Sequence, residues 1–405
     1  MATVEVPAFN PFEPGFFEDP YSRYRTLRER DPVHHSPLGV WMLFRYDHIL
    51  GLLRDPSLSV EPENATPTMR TQMFQEVAGE RARRPRSILS LDPPDHTRLR
   101  RLVSKAFTPK RVESLRPRIQ QLVDEALDAA AAKPTMDVVA DLAYPLPFTV
   151  ICELLGMPEG EREHIREASH TLAGTLDPVV APADIEDALA ASDLIRSYVS
   201  EVVAWKRAQP ADDLLSALVE AEEEGDKLSE RELLDQVVLL YIAGHETTVN
   251  LIGNGTLALL RHRAAYQELA RDPALAVNAV EELLRYDSPV QFSRRITLVD
   301  LELGGQRIEA GSFVLTCLGS ANHDPDRWGG DADDLSLTRP GAAQHLSFGN
   351  GIHHCLGAAL ARLEAQAALS ALSRRFPAAE LGDDPVAWNG RIVLRGLDRL
   401  PISLG

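Results

Sequence analysis

The 405 residues predict a mainly α-helical protein carrying small β-sheets, on three observations. Long segments are dominated by Ala, Leu, Glu and Arg, good helix formers, with apolar residues at three- and four-residue spacing. Short β-branched and aromatic runs bounded by Gly or Pro, at 40–44 and 313–315, read as strands. No internal repeat or low-complexity linker divides the chain, so a single domain over 1–405 is expected.

Composition narrows the class of function. At 44% hydrophobic the chain builds a large core, and a formal charge of −18 argues against nucleic acid or an anionic membrane as partner. Cys152, Cys317 and Cys355 are far apart and odd in number, so no disulfide framework is expected and a reducing cytoplasm fits. The first residues show neither a basic nor an apolar leader, and no apolar run reaches bilayer length. A cytoplasmic monomer without a membrane anchor is the expectation.

Taken in order, a helix over 20–30 stops at Asp31-Pro32, and a strand at 40–44 leads into a helix over 46–54. From 56 to 91 the periodicity dissolves into a long irregular stretch, with Met69, Met73 and Phe74 and then Arg81, Arg83, Arg84 and Arg86. Asp92 reads as an N-cap with Pro93 at the first helical position. On that helix His96 and Arg100 share one face, and Arg98, Arg101 and Lys105 take the other. Thr108-Pro109 caps a helix to about 132. Helices follow at 142–155, closed by Gly156 and Pro158, and then at 159–173 and 183–208, the last two separated by a break at 174–182. Ser229 and Glu232 form a capping box for a helix to about 263, which spans roughly 50 Å.

The middle of that helix reads Ala243-Gly244-His245-Glu246-Thr247-Thr248, poor helix material for a buried centre. A zinc-protease reading of His245-Glu246 fails, because the second histidine of that motif would be Val249. Glu282 and Arg285, three apart on the next helix, can pair. Strands are expected at 296–298, 301–303 (before a Gly304-Gly305 turn) and 313–315, and a terminal hairpin joins 392–394 to 402–404.

The chemistry concentrates at 348–357, Phe-Gly-Asn-Gly-Ile-His-His-Cys-Leu-Gly. A lone cysteine is usually a small buried hydrophobe. Cys355 instead precedes a helix, where unpaired N–H groups favour a thiolate, and glycines let the backbone approach something flat.

The pattern Phe-Gly-x-Gly-x-His-x-Cys-x-Gly resembles the haem-binding loop of the cytochrome P450 monooxygenases, and the other motifs stand in that family's order. The resemblance implies the P450 fold, with the long central helix over haem b and Cys355 as its iron ligand. Phe348, Gly349 and Gly357 would shape the loop. His96, Arg100, Arg295 and His353 would bind the haem propionates. Ala243 and Gly244 would leave room for O2 and substrate, and Glu246 and Thr247 would organise protons for O–O cleavage. Glu282 and Arg285 would form a buried structural pair completed by Arg339.

Met73, Phe74, Ala243, Val290, Phe292 and Leu394 would line the substrate pocket, with 56–91 above it and 174–182 as a lid. Electrons would come from NAD(P)H through a ferredoxin reductase and a ferredoxin, since no flavin domain is seen. The basic face of Arg98, Arg101 and Lys105 would greet that acidic donor. The Arg-Pro replacement of peroxide-using members is absent. The implied reaction is hydroxylation of a hydrophobic small molecule, a secondary metabolite of polyketide, macrolide, terpenoid or steroid type. Alternatives are a peroxygenase, an epoxidase or C–C coupling variant, or a non-catalytic haem sensor.

Overall fold

The computed structural model describes residues 8–37, 39–79, 86–158, 165–220, 222–223 and 226–405. Arg81, Arg83, Arg84 and the start of the helix expected from 159 lie outside them.

The chain opens with α1 (Pro20–Arg30), started by Asp19 accepting from Ser22 N. The antiparallel pair β1 (Val33–His35) and β2 (Trp41–Leu43) precedes α2 (Tyr46–Arg54). The stretch read as irregular is not structureless. After β3 (Leu58–Ser59) it holds α3 (Met69–Ala78), where Thr68 accepts from Thr71 N and Gly79 ends the helix at φ +51°. Caps at both ends make this helix, not a strong apolar stripe.

Asp92 does not cap the next helix. Its carboxylate accepts from Val60 N and the Ser59 hydroxyl, so α4 (Asp95–Ala106) starts after Pro94, two residues later than expected. The helix expected from 108 is split into α5 (Pro109–Ser114) and α6 (Arg116–Ala131). Pro117 lacks the N–H that would bond back to Glu113, which breaks the ladder there.

After β4 (Thr135–Asp137) a wide turn at Val139–Ala143 leads into α7 (Pro145–Leu154), followed by α8 (Arg166–Gly174), α9 (Pro182–Ala208) and α10 (Leu214–Glu220). A small pair, β5 (Glu222–Glu223) and β6 (Asp226–Lys227), precedes α11 (Glu230–Arg261). Both arms of its capping box form, between Ser229 and Glu232. At 32 residues α11 runs about 48 Å and packs on α7, α8 and α9 and on the later helices Ala276–Tyr286 and Ala358–Arg375.

Then come α12 (Arg263–Arg271), α13 (Ala276–Tyr286), β7 (Phe292–Thr297), the hairpin β8 (Leu301–Leu303) and β9 (Gln306–Ile308), β10 (Phe313–Cys317), α14 (Leu318–Ala321), α15 (Pro325–Trp328) and α16 (Ala358–Arg375). The five-stranded sheet runs β1-β2-β10-β7-β3, parallel only between β10 and β2.

The terminal hairpin departs from expectation. Short strands β11 (Glu380–Leu381), β12 (Ala387–Trp388), β13 (Leu397–Arg399) and β14 (Pro401–Ser403) close the chain. β12 pairs with β13, while Ile402 pairs with Met136 and Leu381. Residues 392–394 therefore form a turn, held by Val393 O accepting from Gln291 N at 2.8 Å and a bridge from Leu394 to Val290.

Candidate active site

The Cys355 loop closes on itself, with Cys355 N donating to Phe348 O at 2.9 Å and Gly349 N to Leu346 O at 2.8 Å. Gly349 takes φ +67°, and at Gly351 (φ +70°) a Cβ would stand 2.3 Å from Leu53 O on α2. Cys355 is exposed at the mouth of α16. Surrounding protein pushes its thiol pKa up, and N–H groups of Gly357 and Ala358, with the charges of Arg100 and Arg362, oppose that rise. Sequence reading missed what grips this loop. Arg362 lies 4.5 Å from the Phe348 ring centre and forks onto Glu281, which also meets His345.

Beside the loop, His96 is 2% exposed with both ring nitrogens unpartnered, and its ring is 4.3 Å from that of His353. His353 pairs with Ile88 O and is pushed down to about 3 by burial, with neighbouring His96 and Arg295 adding to it. Arg295 is 4% exposed, and its Nη1 reaches only Arg294 O and Ser293 Oγ on its own strand. Burial pushes Arg295 down to about 10. Arg100 donates to His354 O at 2.7 Å. Asp92, the carboxylate acting on both His96 and Arg295, is already engaged by Ser59 and Val60. Buried donors without acceptors call for an anionic guest.

At the centre of α11, Ala243 is exposed and Ile242, Gly244 and Thr247 are half-buried, while Tyr241, His245, Glu246 and Thr248 are buried. Thr247 Oγ1 donates to Ala243 O at 3.2 Å. Gly244 does not serve that open face. A Cβ there would meet Ile151 Cδ1 at 2.8 Å, so the glycine lets α7 pack closely on α11.

Glu246 is buried among three bases: Arg391 Nη1 and His170 Nδ1, each at 3.5 Å, and His245 Nε2 at 3.7 Å. Burial alone would raise its pKa, but these bases hold it below the ordinary range, so Glu246 is a carboxylate at neutral pH. No local spacing pointed to His170 or Arg391, which lie far away in the chain. His245 is turned aside, with Nδ1 donating to Tyr241 O and Nε2 paired with Ser169.

The family model for cytochrome P450 matches residues 64–387. This chain belongs to the cytochrome P450 family. Among curated relatives, cytochrome P450 107B1 of Saccharopolyspora erythraea is 41% identical, with all of both chains aligned. The 6-deoxyerythronolide B hydroxylase of the same organism is 40% identical over 96% of this chain and 97% of the relative. Among solved structures, the P450 PksS of the Bacillus subtilis bacillaene polyketide synthase superposes with a TM-score of 0.88. It is 38% identical over 98% of this chain and all of that one. The P450 is therefore a haem-thiolate monooxygenase that uses O2 and electrons delivered by redox partners.

The residues fit the haem on their own evidence. His96, Arg295 and Arg100 offer the donors that two propionates need, Gly357 has open space where a Cβ would stand, and the Cys355 sulfur is accessible.

The ion cluster of this P450 is complete. Glu282 Oε2 and Oε1 accept from Arg285 at 2.7 and 2.8 Å, and Oε1 also accepts from Arg339 Nε and Ser336 N, each at 3.0 Å. Arg285 spends its remaining donors on the carbonyls of Asn322, Ala332 and Asp334.

The expected pocket residues divide. Met73 and Phe74 are half-buried on α3, which packs on α9, and Val290 and Leu394 are bridged. Phe292 meets Phe9 and Tyr24 edge-on and shares one buried apolar cluster with Leu394, against which Val290 packs. The basic face of α4 is also smaller than read, because Arg98 is ion-paired to Glu232 of α11.

Proposed function

We propose that this P450 is a cytoplasmic, single-domain monomer that binds haem b and hydroxylates a hydrophobic secondary metabolite of polyketide or macrolide type. The observation that carries the site assignment is Cys355: an accessible sulfur at a helix mouth, with two backbone N–H groups on it and a group of anion-seeking residues beside it. The polyketide class rests on the names of the 6-deoxyerythronolide B hydroxylase and of PksS. Among the described residues no helix is long and apolar enough to cross a membrane, which accords with a cytoplasmic place.

When bound, haem supplies O2 activation and C–H oxidation. The chain's residues do the rest. Cys355 ligates the iron as a thiolate, and the N–H groups of Gly357 and Ala358 temper the charge on its sulfur. His96, Arg100, Arg295 and His353 hold the propionates. Thr247 Oγ1 offers a proton at the open face of α11, and the ionised Glu246 behind it takes up and returns protons through His170. Electrons come from NAD(P)H through a ferredoxin reductase and a ferredoxin, for which exposed Arg101 and Lys105 on α4 offer charge complementarity.

The test is the reduced, CO-bound holoprotein, which should show the far red-shifted Soret band of thiolate ligation. If Cys355→His keeps that band, the ligand assignment is wrong. Turnover with ferredoxin, its reductase and NAD(P)H should exceed turnover with peroxide. Thr247→Ala should divert electrons to peroxide; unchanged coupling would remove Thr247 from the proton route.

A further inference from the structure

The first half of α11 turns one face toward the chain that leads into α4. Glu232, Asp235, Gln236 and Leu239 share it at three- and four-residue spacing. Glu232 meets Arg98 of α4, and Leu239 packs against the cluster of Ile88, Leu91 and Leu99. Between these contacts Asp235 and Gln236 grip the backbone of Arg86 at both its polar atoms. Asp235 Oδ2 accepts from Arg86 N at 2.8 Å, and Gln236 Nε2 donates to Arg86 O at 3.4 Å.

Asp235 is only 3% exposed, and a carboxylate so placed needs partners. Arg196 of α9 holds its other oxygen, and Arg231 Nε lies 3.8 Å from Oδ2. Gln236 is fully buried, with no partner on Oε1. Two buried polar groups committed to one backbone unit fix where the next residues run. Ser90 N donates to Ser87 O at 3.0 Å, closing a turn at 87–90, and the Arg86 side chain pairs with Asp95 at the start of α4. Inside that turn, Ile88 O accepts from His353 Nδ1 at 3.2 Å. Leu356 of the Cys355 loop packs against the same cluster as Ile88.

We propose that Asp235 and Gln236 are positioning residues for the haem: they seat Arg86, the seated chain sets the 87–90 turn, and Ile88 O of that turn orients His353 for a propionate. With Nδ1 committed to Ile88 O, the ring is fixed and its other nitrogen is the one left for a ligand. A ring ordered before the propionate arrives does not lose that freedom on binding. Asp235 and Gln236 act through Ile88 O and His353, not on a reacting atom. The inference rests on the reading of His353 as a propionate residue and adds what holds it in place.

The experiment uses the haem-loaded protein and follows transfer of haem to apomyoglobin. Transfer should run roughly tenfold faster from Asp235→Ala than from wild type. Asp235→Asn, which keeps an acceptor for Arg86 N, should stay within about twofold of wild type. Amide exchange at Arg86 should quicken by about tenfold in Asp235→Ala and remain slow in Asp235→Asn. Gln236→Leu preserves side-chain size and deletes an oxygen that has no partner, so it tests the grip even where Asp235→Ala does not fold. It should speed haem transfer about threefold. Wild-type transfer from Gln236→Leu, or from a folded Asp235→Ala, would overturn the proposal.

His353→Phe separates the route from a general loosening. In that background Asp235→Ala or Gln236→Leu should change haem transfer by less than about 1.5-fold. If His353→Phe speeds transfer and the Asp235 or Gln236 factor persists undiminished within it, this proposal falls and the propionate reading stands. If His353→Phe alone leaves transfer unchanged, the propionate reading of His353 falls first and takes the proposal with it.

Discussion

Glu282, Arg285 and Arg339 are as deeply buried as His96 and Arg295, yet the two groups are provided for in opposite ways. In the first, the carboxylate is held by two guanidinium groups and a backbone N–H, and Arg285 spends its other donors on three carbonyls. In the second, His96 has no partner on either nitrogen and Arg295 reaches only atoms of its own strand. A satisfied buried charge holds the fold together, whereas buried donors left over by the fold await a ligand. Glu246 stands between these extremes: its bases lie at 3.5 Å and beyond, near enough to keep it ionised and loose enough to be exchanged.

The sharpest way to break this contrast is to strip a partner from each side. Glu282→Ala takes the carboxylate from the fully buried Arg285, while Arg339 keeps Asp331, and should cost about 3–5 kcal/mol, seen in denaturant unfolding with or without haem. A loss under about 1 kcal/mol would mean that the cluster is not what holds this region.

Acid probes the same principle beside the Cys355 loop. Burial would raise Glu281, but His345 and Arg362 outweigh it and take the carboxyl from 4.5 to about 2. His345 itself is lowered by burial, so Arg362 is the charged partner. A depressed carboxylate stabilises the fold above its unfolded pKa and loses that contribution as pH falls through the folded one. Here the contribution is on the order of 3 kcal/mol at neutral pH, fading between pH 4.5 and about 2. The unfolding free energies of wild type and Glu281→Gln should converge across that window; parallel curves would refute the pairing.

On the ligand side the effects should appear in haem retention. Arg295→Ala removes a charge-assisted bond and should weaken haem binding by about 10- to 100-fold, measured by transfer to apomyoglobin, with the apoprotein's stability nearly unchanged. The smallest effect is the most diagnostic. His96→Phe removes an unpartnered buried imidazole and should leave the apoprotein equal or up to about 1 kcal/mol more stable while haem binds more weakly. Apoprotein destabilised as strongly as by Glu282→Ala would erase the distinction between the two groups.

Much of this was legible in the chain because it is local. The capping box of Ser229 and Glu232, the stop at Asp31 and the loop at Cys355 each need only a few neighbouring residues. Arg339 was found from the resemblance, which supplied the one long-range fact that spacing lacks. Where local signals misled, a distant group had claimed the residue. Asp92 looks like a cap and is taken by Ser59 and Val60. Gly244 looks like room for O2 until Ile151 is seen against it.

The sequence by itself determined the fold class, the long α11, the thiolate loop and the order of the motifs, since hydrophobic period, caps and glycines act over one or two turns of chain. Only the tertiary structure decided which bases surround Glu246, that Ile402 pairs with Met136 and that Asp177 holds the tip at 392–393. Apart from the adjacent His245, those partners lie far apart in the chain, Arg391 and Glu246 by 145 residues and Asp177 and Ile392 by 215, and no local pattern encodes a contact that exists only once the chain has closed on itself.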